Sequence, residues 1–212
     1  MKMCWNEHVS LNTFVFSMFV LLLVFYNDFY TPYKINPEKS LYFYFFVISF
    51  ASMQLVEYFL WRNLNDKKKV QTISLLGQLL VLVQPIASLL MLKNDVLKWG
   101  MILLYSVPAF FMFMLSNKNY KTTVVNGHLK WNWMPTSDFM YLIWLFFLLF
   151  SFIVNGHFYM LFAAFVLFVI TYWSNHSTGT AGSLWCWSIN LFMIYFAIQL
   201  LVILPFQEHG VC

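Results

Sequence analysis

Charge is scarce in this chain. Lys, Arg, Asp and Glu make up 9% of its 212 residues, against roughly a quarter in a soluble domain. That shortage excludes an ordinary water-soluble globule. Arginine is almost missing: of the twelve basic residues only Arg62 is one. The bias, shared with abundant Phe, Asn, Lys and Met, points to AT-rich coding and carries no mechanism. Cysteine is rare as well. Cys4, Cys186 and Cys212 form no CxxC pair, so neither a disulfide framework nor a thiolate metal site is implied. No hydrophilic tract is long enough for a second domain. The net charge of +4 is better read as loop charge that orients membrane helices than as a surface for nucleic acid.

What the chain has instead is apolar surface: 61% hydrophobic and 22% aromatic residues, with a mean hydropathy of +0.70. Residues 1–212 therefore read as one integral-membrane, all-α domain, a bundle of seven transmembrane helices at roughly 12–30, 41–61, 72–92, 97–116, 137–154, 157–173 and 182–204, each near the length that spans the hydrocarbon core. The first is too long for a signal-peptide core, and Tyr26-Asn-Asp-Phe-Tyr30 offers no small-residue cleavage site. Thr31 to Ser40, with Pro32 and Pro37, is a turn-rich connector. The longest loop runs from Asn117 to Pro135, Thr136-Ser-Asp138 supplies an N-cap, and Asn155-Gly156 makes a tight turn.

Lysine and arginine set the orientation. With the N-terminus cytoplasmic, the inner face holds Lys2, Arg62, Lys67, Lys68, Lys69, Lys118, Lys121 and Lys130, and the outer face Lys34, Lys39, Lys93 and Lys98. The positive-inside rule thus favours a cytoplasmic N-terminus and a C-terminus on the opposite side. The sequon Asn175-His-Ser177 would then face the cytosol, beyond the reach of glycosylation.

Within the second helix, Ser52-Met-Gln-Leu-Val-Glu-Tyr-Phe-Leu-Trp61 places a carboxylate, Glu57, deep in an apolar run. A charge at that depth costs roughly 2.5–3.5 kcal/mol on insertion scales, which makes it a functional candidate. Helical spacing puts Gln54, Glu57 and Trp61 on one face. Glu57 and Gln54 lie about 8 and 12 Å from the Arg62 end, and Gln78 roughly 9 Å from the Thr72 end of the third helix. Ser183, Cys186 and Asn190 fall between about 2 and 12 Å from the same face. Polar groups at one depth need partners or water, so their concentration in one half predicts a vestibule open to one side. His128 and His176 would sit at its mouth. Pro85, after Gln84, would kink the third helix by removing a backbone donor.

Plainer readings stand beside these. Glu57 could accept hydrogen bonds from Gln78, Asn190 or an indole and only fix helix packing, and Gln54, Gln78 and Asn190 are common interhelical glue. Trp61, Trp131, Trp133 and Trp173 suit interfacial anchors. His128 and His176 form no HxxxH or HExxH pair, so no metal and no cofactor is expected. Ser183 lacks a GxSxG elbow, and no catalytic residue is assigned. Known seven-helix families fit poorly. The chain has no lysine well inside its last helix for retinal, no NPxxY for a G-protein-coupled receptor, and no intramembrane histidines of the ceramidase and adiponectin-receptor kind. Gln84-Pro85 reverses the PQ-loop order, and no second copy of it follows.

Four short stretches carry a resemblance: Gln54-Leu-Val-Glu57 with Trp61, Gln84-Pro85, Gly127-His128-Leu with Trp131, and Gly182-Ser-Leu-Trp-Cys-Trp187 with Asn190. In these, and in hydropathy profile, the chain resembles uncharacterised multi-pass membrane proteins encoded by large DNA viruses of protists. The resemblance implies a host or viral internal membrane and no assigned chemistry.

The expected function is transport of a small solute or ion, by a transporter or ion channel that is proton-coupled through Glu57, with Gln54, Gln78, Ser183 and Asn190 lining the site. The expected partners are the lipid bilayer and that solute, with no nucleic acid; a homo-oligomer is left open. Two alternatives remain: an intramembrane enzyme acting on a lipid, and a structural or partner-binding membrane protein.

Overall fold

A computed structural model describes residues 5–32, 35–36, 40–116, 120–133 and 137–209, the last three without their side chains. Cys4, Cys212, Pro37, Pro135, Thr136, Lys2, Lys34, Lys39 and Lys118 lie outside the described residues.

Polar caps and apolar interiors define the helices. α1 (Glu7–Tyr30) starts at Asn6, whose side chain accepts from the Val9 amide, and α2 (Leu41–Arg62) starts at Ser40, which accepts from Tyr42. α3 (Lys67–Leu89) is capped by Asp66 and α4 (Asp95–Leu115) by Asn94. These side chains satisfy amides that the first helical turn leaves without partners. α3 begins five residues before the expected position, because the Asp66 cap recruits Lys67–Lys69 into its first turn. α5 (Asp138–Val154) and α6 (Phe158–Asn175) follow. The cap expected from Thr136-Ser-Asp138 does not form as such: Ser137 stands at the N-cap without a side-chain hydrogen bond. Asp138 turns instead to Tyr172 and His176.

The last expected helix is broken. α7 (Ala181–Trp187) ends at Ser188, whose hydroxyl donates to the Trp185 carbonyl; α8 (Ile189–Ile198) continues, a π turn occupies Gln199–Ile203, and α9 (Leu204–His209) follows.

α2 packs between α1 and α3, α3 against α5, and α8 against α1, while α4 and α6 lie at the periphery. Aromatic side chains fill the centre, with Phe43 set edge-on to Phe196 and Phe46 to Phe152. Small hydroxyls let helices approach: Ser88 of α3 donates to the Leu148 carbonyl and lies 2.6 Å from the Ser151 hydroxyl of α5. Asn155 and Gly156, with φ of 77° at the glycine, make the tight turn after α5, and Asn155 also donates to the Met91 carbonyl.

Six helices, namely α1, α2, α3, α4, α6 and the run Ala181–Phe206, are each long and apolar enough to cross a bilayer. That is compatible with a multi-pass membrane protein. α5 is equally apolar but shorter, at 17 residues.

The loop after α4 is not featureless. β1 (Thr122–Val125) and β2 (His128–Trp131) pair antiparallel, with Thr122 opposite Trp131 and Val125 opposite His128. Asn126 and Gly127 take φ of 51° and 80°, the left-handed pair that a two-residue turn between twisted strands requires.

Candidate functional site

The central place of α2 puts Glu57 in the middle of the molecule. Glu57 and Gln54, three residues apart on one face, are both fully buried. Neither carboxyl oxygen of Glu57 and neither polar atom of the Gln54 amide has a hydrogen-bond partner among the described residues. Glu57 thus points into the protein and away from acyl chains. No Lys, Arg or His pairs with it among the described residues.

Two elements complete its surroundings. From α7, the Ser183 hydroxyl faces the carboxyl but stays outside hydrogen-bonding geometry. The Cys186 thiol, one turn on, lies against both Glu57 and Gln84. Gln84 of α3 donates to the Ser49 carbonyl of α2 at 3.4 Å, which leaves its own carbonyl oxygen unpaired. One acid, two amides, one hydroxyl and one thiol therefore share the protein interior. Buried polar groups are ordinarily paired, so several orphans together are an exception that calls for a physical explanation.

Gln78 and Asn190 join other interfaces. Gln78 accepts from Ser116, the residue that caps the end of α4, at 3.4 Å and lines a small cavity with Met112, Tyr141 and Trp144. Asn190 accepts from Ser17 of α1 at 2.9 Å and donates to the Trp187 carbonyl. Of the five expected lining residues, three (Glu57, Gln54 and Ser183) come together. Cys186, and Gln84 beside it, lie next to Glu57 in place of the other two.

Pro85 lies inside α3 and the helix runs on past it. Proline deprives the carbonyl four residues earlier of its donor. That carbonyl belongs to Val81, and the Trp144 indole donates to it at 3.0 Å. The freed group is thus satisfied by a side chain, and Val81 and Trp144 together line two small cavities between α3 and α5.

Glu57, Gln54 and Ser183, expected to line an open vestibule, are each at most 1% exposed. The hairpin lies across the end of the bundle where α3 and α7 begin, held by two stacked indoles, Trp131 and Trp133, 5.2 Å apart. Trp133, fully buried, packs on Gly77 of α3, while Trp131 packs on Gly182 of α7. The Trp133 indole donates to the Thr122 hydroxyl, which is hydrogen-bonded to Ser74 of α3 at 3.0 Å. The Lys130 stem rests on Gly179.

His128 and His176 sit in separate surroundings. The His128 ring packs on Trp5, 5.1 Å away, and Trp5 packs on Trp187. Partial burial pushes its pKa below the ordinary value, and its Nδ1 has no partner. His176 is exposed, with Nε2 3.5 Å from Asp138 and its ring edge-on to Tyr172. Among the described residues no three His, Cys, Asp or Glu side chains gather as metal ligands.

Gln84 and Cys186 are the neighbours of Glu57 that were not counted among its lining residues, the first named only beside Pro85 and the second only among the polar groups at matched depth. The available signal was depth: Gln84 is a polar side chain near the middle of an apolar helix. The chain matches no protein-family model, no curated protein and no solved structure.

Proposed function

We propose that this chain crosses the membrane seven times, with its N-terminus cytoplasmic and C-terminus opposite, and transports a small solute or ion through an occluded site at Glu57. α5 counts as the seventh span, since its residues cover about 26 Å, close to the hydrocarbon thickness. Coupling to protons would use the Glu57 carboxyl, the one acid among the described residues placed where gaining or losing a proton changes the charge of the interior. The observation that carries this reading is the set of unpaired oxygens on Glu57, Gln54, Gln84 and Ser183, all at most 1% exposed. Together they offer a desolvated solute or cation what the protein does not otherwise use. The hairpin is the inner closure, and transport requires Trp131 and Trp133 to leave Gly182 and Gly77. An internal membrane of a host cell or virus is its proposed residence.

The test is proton flux in proteoliposomes, read with a trapped pH-sensitive dye under an imposed sodium or potassium gradient. Flux through the wild type that Glu57→Gln abolishes, at unchanged melting temperature, supports the proposal. Wild-type flux no greater than that of empty vesicles overturns it.

A second reading, a scaffold whose polar groups only lock helices together, is favoured by the Ser17–Asn190 and Ser88–Ser151 bonds. It predicts that Glu57→Gln shifts melting, with no flux to lose.

A further inference from the structure

Where α2 gives way to α3, the turn faces the chain segment that leads into β1. A cavity of about 530 Å³ separates them, lined by Asn65, Lys67 and Gln71 on one wall and Tyr120, Lys121 and Thr122 on the other. Its size is in the range of small-molecule sites. Lys67 and Lys121 are both exposed and come from elements fifty-four residues apart in sequence. Neither forms an ion pair among the described residues.

The neighbouring carboxylate does not neutralise them. Asp66 accepts from the Lys69 amide at 3.1 Å and faces the Lys69 ammonium at 3.5 Å. Two ammonium groups thus flank one polar hollow without an anion of their own. Thr122 is held at its far wall by Ser74 and Trp133, so Lys121 projects from an anchored strand end.

The level of this hollow matters. α2 ends at Arg62 and α3 begins at Lys67, so it lies at the boundary between apolar helix and water, where lipid phosphates reside. The inner leaflet is the anionic one, and basic residues near it are drawn to its headgroups. Lysine binds phosphate as a compact point charge, with several donors that can reorient.

The geometry points to a binding site for a phosphate-bearing anion, foremost the headgroup of an anionic membrane lipid, held between Lys67 of α3 and Lys121 at the start of the hairpin. The inference rests on the membrane-spanning, N-terminus-inside reading and on no role of Glu57. An anion bridging the two lysines ties the hairpin to α3, and so strengthens the closure over the buried polar cluster.

The experiment uses the full chain in neutral detergent micelles, with its melting temperature followed under three additions at matched ionic strength: phosphatidylcholine, phosphatidylglycerol and inorganic phosphate. Phosphatidylglycerol should raise the melting temperature and phosphatidylcholine should not. The double variant Lys67→Gln/Lys121→Gln should lose that rise. Lys68→Gln/Lys69→Gln, with the same change of charge on the same face but outside the cavity, should keep it. A rise with inorganic phosphate as large as with the lipid assigns the site to a soluble phosphate. No rise with either anion overturns the proposal, and so does equal loss in both double variants, which would reveal only a diffuse basic patch. Flux through Glu57→Gln is a separate readout, so either proposal can fail alone.

Discussion

Trp131 fills the space that a side chain on Gly182 would need: two of its ring carbons lie 2.8 Å from the position of an added Cβ. A real Cβ cannot be accommodated there unless the indole moves, and the indole is stacked on Trp133. Gly182→Ala should therefore displace the hairpin and destabilise the protein by about 1–3 kcal/mol, the range of overpacked cores. Gly77→Ala should cost less, because its nearest neighbours lie at 3.1 and 3.3 Å. Thermal melting with tryptophan fluorescence checks both. Wild-type behaviour of Gly182→Ala would mean that the hairpin is not seated on α7.

Trp144 and Pro85 should be energetically coupled. Trp144→Phe leaves the Val81 carbonyl buried and without a donor, at a cost of about 1–3 kcal/mol. In a Pro85→Ala background residue 85 regains an amide that can serve that carbonyl, and the same substitution should cost less. A double-mutant cycle on melting free energies measures the difference. Additive costs would show that the indole is not what satisfies Val81.

Acid should loosen the hairpin through His128. Its pKa in the folded protein lies below the ordinary 6.5 because burial disfavours the charged ring. Below that ordinary value the unfolded chain takes up the proton first, so stability is undiminished above it and falls as the pH drops toward the folded value. His128→Gln should flatten the melting profile over this window. A slope that persists in the variant assigns the effect to another group.

Orientation can be read at Asn175. With the N-terminus cytoplasmic the sequon faces the cytosol, and expression in glycosylating cells should give a single unmodified band. A shift removed by glycosidase and by Asn175→Gln would reverse the topology.

Hydropathy made the helices legible, since an apolar run of that length has few alternatives, and polar residues inside the runs pointed to the interior. Depth alone could not say which neighbour each would meet. Gln78 and Gln84 are six residues apart on α3 and therefore face different interfaces, toward Ser116 and toward Cys186. The hairpin was legible in principle, because Thr122-Thr-Val-Val-Asn-Gly-His-Leu-Lys-Trp131 holds an Asn-Gly pair between two short β-prone runs. Its lysines and its position between two long apolar helices concealed it. Even so, a strand pair alone would not have revealed its place over the bundle end, which depends on two glycines distant in sequence.

The π turn at Gln199–Ile203 amounts to one surplus residue in an otherwise regular helix. Were the same five residues wound as regular α-helix, everything after them would rotate by close to one residue's turn, about 100° around the axis. Upstream, Asn190 keeps its bond to Ser17; downstream, Phe206, exposed in this structure, would be turned to a new bearing. The run Ala181–Phe206 is thus two pieces in different phase, the first indexed to α1 and the second addressing its surroundings from an angle that a continuous α-helix of the same residues could not reach.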